Sequence, residues 1–218
     1  MNEEKLKILT PFGPSIAMVR IPEKIIKDLN NYVDKIVNDE KKINQLDHGK
    51  NLAGNVKQEF RLEADFMKDT GWGNFLADGV KYWVGNAINK KITKCKILSS
   101  WIVRQFKNEY NPTHFHSGHI SGVGYLKVPK NFGETYQKNK PNLNGQLQLI
   151  HGSRMFMSRS TFDVKPKVGD FYFFPNYLMH QVFPFIDTDE ERRSISFNAL
   201  IDENIYDVYS PEKKKRFR

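Results

Sequence analysis

Asn111–Pro129 reads NPTHFHSGHISGVGYLKVP, and the fold turns on how this stretch is read. It holds three of the chain's six histidines, His114, His116 and His119, and runs directly into the strand-like Ile120–Val128. On an extended segment, side chains two apart leave the same face, so His114 and His116 can grip one ion. Clustered imidazoles feeding a strand point to a metal site at the mouth of a β-barrel. A His-x-His pair alone is weak, because a single histidine is more often a satisfied structural residue. A third ligand and an anchoring charge would make the pattern specific.

Both occur downstream. His180 lies 64 residues after His116 (180 − 116), behind a Gly169-Asp170 turn and an FYFFP run. Imidazole suits iron, copper, nickel and zinc. Twelve residues further (192 − 180) comes Arg192, then Arg193, opening the alternating segment RRSISFNAL. Arg192, Ser194, Ser196 and Asn198 share one face; Arg193, Ile195, Phe197 and Ala199 share the other. The Ile/Phe face is expected on the helices and the Arg/Ser/Asn face inside a polar barrel. An arginine buried there calls for an anion, and a planar guanidinium fits a carboxylate with two hydrogen bonds. The doubled arginine leaves the register open by one, so Arg193 is the fallback anchor. The plainer reading is an exposed arginine pair on an edge strand.

Outward from this core, Lys96–Phe106, Gly122–Val128, Gly145–Ile150, Arg154–Ser158, Gly169–Phe174, His180–Phe185 and Arg192–Ile201 read as strands, broken by Gly, Pro, Asn and Asp. Upstream, Ser15–Arg20 reads as a short strand. Apolar residues at three- and four-residue spacing predict helices from Ile25 to about Asn38 and from about Asn74 to Asn89. Asp39–Lys57 and Tyr136–Asn144 read as polar loops. The predicted class is α+β, with N-terminal helices buttressing an antiparallel sandwich or barrel. One domain, 1–218, is expected: a mainly helical N-terminal layer over 1–93, the barrel core over 94–205 and a basic tail over 206–218.

The 218 residues can bury a sizeable core, and 39% hydrophobic content excludes a disordered composition. The net charge of +9 favours anionic partners or a solvated basic surface. One cysteine, Cys95, excludes an internal disulfide and a cysteine-based zinc site, and fits a reducing cytoplasm. No apolar run approaches the roughly 20 residues that span a bilayer, and MNEEKLKILTPFG lacks a signal-peptide core. These features predict a soluble cytoplasmic protein. No recognition helix or stacking-aromatic motif marks a nucleic-acid module.

The motif NPxHxHSGxxSGVxYLxxP, followed by P-x-x-GD-x-x-x-FP-x-x-x-x-H and ERxSISFN, resembles the 2-oxoglutarate- and Fe(II)-dependent oxygenases. More narrowly it is similar to a prolyl-hydroxylase-like group of marine bacteriophages and bacteria. The likeness covers about Trp101–Leu200, with AGNVKQEF upstream. It implies a double-stranded β-helix (a jelly-roll or cupin-like barrel) buttressed by the N-terminal helices, and that His114, His116 and His180 ligate iron. It also implies that Arg192 anchors the far carboxylate of 2-oxoglutarate, with Tyr125, Ser121 and Asn198 helping to hold the co-substrate. The cofactors implied are Fe(II), 2-oxoglutarate and O2, with ascorbate as a compatible reductant. The implied reaction is hydroxylation, favouring a protein side chain such as proline, with nucleic acid left open and the host cytoplasm as the location if phage-encoded. Trp101, Arg104 and the Tyr136–Asn144 loop are candidate substrate contacts.

One departure stands out. The usual triad is two histidines and one carboxylate, and His116 stands where the carboxylate belongs. This opens a competing ligand, His119; His48 and His151 read as incidental. Two other functions remain at this point. A cupin-type three-histidine metalloprotein would need a glutamate just past His-x-His, where Ile120 and Ser121 stand. A non-enzymatic phage structural or interaction protein would have no use for a polar inner face on the last strand.

Overall fold

A computed structural model describes residues 6–9 and 13–208. Residues 209–218, most of the expected basic tail and including the Lys213–Arg218 run, lie outside the described residues.

The chain begins with β1 (Leu6–Leu9) and β2 (Ile16–Arg20), then α1 (Glu23–Ile36) and α2 (Glu40–Leu46). β3 (Gln58–Arg61), α3 (Ala64–Asp69) and α4 (Trp72–Ile88) follow. The rest is mostly strand: β4 (Cys95–Gln105), β5 (Asn111–His114), β6 (Ile120–Lys127), β7 (Leu147–Ile150), β8 (Thr161–Val164), β9 (Asp170–Pro175), β10 (Met179–Val182) and β11 (Arg192–Ile201). A short α5 (Glu203–Tyr206) ends the described chain. Seven strands form one antiparallel sheet in the order β1-β2-β9-β6-β11-β4-β3, and four form a second in the order β5-β10-β7-β8. This is the double-stranded β-helix that the resemblance implies. The N-terminal layer adds strands to it as well as helices, since β1, β2 and β3 all join the larger sheet.

The helices cover the outer face of that sheet. Ile25, Leu29, Val33 and Ile36 are the buried stripe of α1, each contributing about 1.5–3 kcal/mol relative to exposure. They join Phe171 and Phe173 of β9 and Ile195, Phe197 and Ala199 of β11 in one apolar cluster. Close approach of α4 depends on Gly79, where a Cβ would meet Phe173 Cζ at 2.5 Å.

Two local expectations are corrected. Asp39–Lys57 is not all loop: Asp39 caps α2 by accepting from the backbone N–H of Lys41 and Lys42, and buried Leu46 gives the helix an inner face. Arg154–Ser158 is not a strand. A single bridge joins Met155 to Ser158, and Met157 sits at φ 63°, so the segment turns. Phe156 and Met157 are left exposed, and the pairing to β7 comes instead from Thr161–Val164.

Candidate metal centre

The smaller sheet brings the histidines together. β10 runs antiparallel to β5 with His180 opposite His114, and His116 follows just past the end of β5. The three rings lie 4.3 to 5.0 Å apart between centroids. One nitrogen from each can be chosen so that all lie within 4.8 Å of one another. His119 is elsewhere: its ring stacks on Tyr206 at 3.8 Å and its Nδ1 accepts from the Ile201 N–H. The competing-ligand alternative therefore has no geometric support.

Neighbouring groups orient two of these rings. His114 Nδ1 lies 2.7 Å from the Pro112 carbonyl and His180 Nδ1 lies 2.8 Å from the Leu178 carbonyl. Each carbonyl takes an Nδ1 proton, which leaves Nε2 as the free lone pair. Phe174 packs edge-on against His180 at 5.0 Å, and Trp101 tilts against His116 at 5.5 Å. The His116 backbone is gripped at both ends by Asn176, whose carbonyl accepts from the His116 N–H and whose Nδ2 donates to the His116 carbonyl.

Electrostatics hold the rings neutral. Burial first, and then the charge of His114, push His116 down to about 3. Burial, with His114 and His116, takes His180 well below its ordinary value, and burial lowers His114 despite the Pro112 carbonyl. The His116 and His180 Nε2 atoms lie 3.1 Å apart with no carboxylate between them. Three neutral imidazoles with converging lone pairs form a donor set that fits a borderline divalent ion such as Fe(II).

Across the cavity, the larger sheet presents its inner face. Arg192, Ser194, Ser196 and Asn198 of β11 line the same cavity as His114, His116 and His180, together with Trp101, Val103 and Glu59. The cavity holds about 330 Å³. Arg192 is 1% exposed, and its Nη1 donates to Gln105 Oε1 at 3.1 Å and to Ser194 Oγ at 3.3 Å. Its Nε and Nη2 are buried without a partner, as is the Tyr125 hydroxyl. The guanidinium lies over the Tyr125 ring, 5.1 Å from its centroid. Burial lowers the Arg192 pKa, with Tyr125 opposing. Arg192 Nε and Nη2 and the adjacent Tyr125 hydroxyl have no other acceptor or donor, and together they fit the remote carboxylate of a dicarboxylic acid.

The remaining candidates divide. Asn198 lines the cavity, and Ser121 donates its hydroxyl to Asn198 Oδ1 at 2.8 Å from behind. Arg193 points the other way and is fully engaged with Glu191, Asp34 and Asn30. Arg104 pairs with Glu191 and Gln58 and is absent from the cavity wall. Asn142 and Asn144 of the polar loop line a separate hollow. Sequence reasoning missed Glu59, Gln105 and Asn176. Gln105 ends β4, within the strand expected over Lys96–Phe106, and Asn176 follows the FP motif directly. Glu59 sits in AGNVKQEF, a segment carrying no chemistry of its own.

Residues 99–198 match the family described as "Putative 2OG-Fe(II) oxygenase". No curated protein sequence matches the chain. Among solved structures, a Pseudomonas putida prolyl-4-hydroxylase is similar at 14% identity and TM-score 0.55, covering 84% of this chain and 91% of its own. The α-ketoglutarate-dependent epimerase SnoN of nogalamycin biosynthesis is similar at 15% identity and TM-score 0.53, with 83% and 76% covered. HygX from Streptomyces hygroscopicus, solved with nickel and 2-oxoglutarate bound, is similar at 10% identity and TM-score 0.52, with 84% and 80% covered. At these identities the likeness is one of fold.

Proposed function

We propose that this chain is a 2-oxoglutarate- and Fe(II)-dependent oxygenase, as the family match over residues 99–198 supports, that His114, His116 and His180 hold the iron, that Arg192 anchors 2-oxoglutarate, and that the reaction hydroxylates a protein side chain such as proline. Bound iron would supply the oxidising chemistry by which O2 and 2-oxoglutarate give succinate, CO2 and a hydroxylated substrate.

This chain's own residues bind, orient and exclude water. The carbonyls of Pro112 and Leu178 keep two ligand lone pairs aimed inward. Arg192 and Tyr125 receive the far carboxylate, with Gln105 and Ser194 holding the guanidinium in place. Trp101, Val123, Leu147 and Phe174 make the apolar part of the wall, which strengthens each charged contact by lowering the local dielectric. With no carboxylate among the three ligands, the co-substrate itself would bring the first negative charge to the metal.

The observation that carries the reading is the orphaned half of the Arg192 guanidinium facing a cavity with three neutral imidazoles. The prolyl-4-hydroxylase likeness favours a peptide substrate, and the single cysteine favours a cytoplasmic setting. The test is Fe(II)-dependent conversion of 2-oxoglutarate to succinate, with metal content measured alongside. Wild type should turn over slowly without a prime substrate. His180→Ala should lose both turnover and metal, by more than the roughly 10–100-fold seen for residues that only support a ligand. Metal retained in full by His180→Ala would sink the ligand assignment.

A further inference from the structure

Glu59 is the one charged side chain of the cavity wall that the proposed reaction leaves unused. It is 1% exposed, and both carboxylate oxygens are buried without a hydrogen-bond partner. No cation among the described residues pairs with it, although Arg61 lies two positions along the same strand. Its place is set by register. Tyr125 of β6 lies opposite Ser194 of β11, Ser194 opposite Val103 of β4, and Val103 opposite Glu59 of β3. One cross-strand row therefore runs from the Arg192–Tyr125 end to Glu59, all on the inner face. Glu59 stands two strand spacings from β11, about 10 Å.

Two glycines let the neighbouring loop pack close to Glu59: a Cβ at Gly54 would meet Glu59 Oε1 at 2.9 Å, Val56 Cγ2 at 3.2 Å and Asn111 Oδ1 at 3.3 Å, and one at Gly49 would lie 3.5 Å from Glu59 Oε2. Asn55 pins that loop to Tyr110 through a backbone bridge. Asn51, Leu52 and Ala53 carry the loop along the cavity rim.

Resting on the oxygenase reading above, we propose that Glu59 receives a positively charged nitrogen group of the prime substrate, an ammonium or a guanidinium. An isolated buried carboxylate either takes up a proton or gains a cationic partner. Consistent with that, burial and then the charges of Asp47 and Glu109 push the Glu59 pKa up to about 7. The cavity has two poles: a cationic one at Arg192, which the co-substrate takes, and an anionic one at Glu59. A substrate that bridges from the metal to β3 would place a donor against both free oxygens. The selection runs against the chain's overall charge of +9, so it belongs to this site and not to the surface field.

The test uses the anaerobic complex of the full chain with Fe(II) and 2-oxoglutarate. The probes are N-acetyl-lysine amide and N-acetyl-arginine amide, with N-acetyl-norleucine amide and N-acetyl-citrulline amide as neutral counterparts. Binding is read by calorimetry and by perturbation of the metal–co-substrate band. At least one cationic probe should bind wild type roughly ten- to hundredfold more tightly than its neutral counterpart. Glu59→Gln should abolish that preference. Cadaverine and agmatine tell a free amine from a peptide side chain: tighter binding by them assigns the site to small amines, and by the amides to a protein residue. Equal binding of charged and neutral probes, or no binding by any cationic probe, would overturn the proposal. So would a charge preference that survives in Glu59→Gln. The band formed by 2-oxoglutarate itself is the separate control: its absence in wild type indicts the co-substrate site and not Glu59.

Discussion

Arg192 and Arg193 are adjacent on one strand, both almost fully buried, and they lead opposite lives. Arg193 faces the helices and satisfies its guanidinium on Glu191, Asp34 and Asn30. Arg192 faces the cavity and leaves two nitrogens without partners. The strand's pleat sends neighbours to opposite faces, so the same chemistry becomes a tie on one side and the proposed co-substrate anchor on the other. A satisfied buried cation belongs to the fold, whereas an unsatisfied one awaits a ligand.

The contrast can be broken from either side. Arg192→Ala should weaken 2-oxoglutarate binding by about 2–5 kcal/mol, the usual consequence of leaving a buried charge without its partner. Thermal stability should hold or rise, because an unpaired guanidinium is removed. Calorimetry of co-substrate binding beside a melting curve checks both halves. Arg193→Ala should do the reverse, costing about 1–3 kcal/mol of stability through stranded acceptors on Glu191 and Asn30, with co-substrate affinity unchanged. Equal co-substrate losses in the two variants would erase the distinction.

The smallest effect concerns acid. Burial alone would raise the Glu191 pKa, but hydrogen bonds from Arg193 and Arg104, and then their charges, outweigh it and bring it to about 2. A carboxylate depressed in the folded state contributes stability above its unfolded value, near 4.5, and loses it as pH falls towards 2. Glu191→Gln should flatten the stability curve between those limits. An unchanged acid limb would place the acid sensitivity elsewhere.

Much of the site was legible in the sequence because its residues sit in strong local patterns. The His-x-His pair, the GD-to-His spacing and the strict alternation of RRSISFNAL each survive without tertiary information. What could not be read depends on distant partners. Nothing local says that Asn30 and Asp34 on α1 will meet Arg193. His119 reads as a rival ligand in the sequence, yet its ring stacks on Tyr206, beyond the far end of β11. Glu59 was hidden for a different reason: β3 is four residues long, too short for a period of two to show, and its inward face exists only through pairing with β4. The helix α2 was missed because one capping aspartate, not a long apolar stripe, sets it. The expected strand at Arg154–Ser158 failed because an apolar run at a hairpin tip looks the same as one in a core.

The central claim is that three neutral imidazoles and one unsatisfied arginine form a single site for metal and co-substrate. The most direct measurement is an anaerobic titration of Fe(II)-loaded wild type with 2-oxoglutarate, following the visible charge-transfer band. The account predicts a band that saturates near one equivalent per chain. Metal that binds while 2-oxoglutarate raises no band would contradict it.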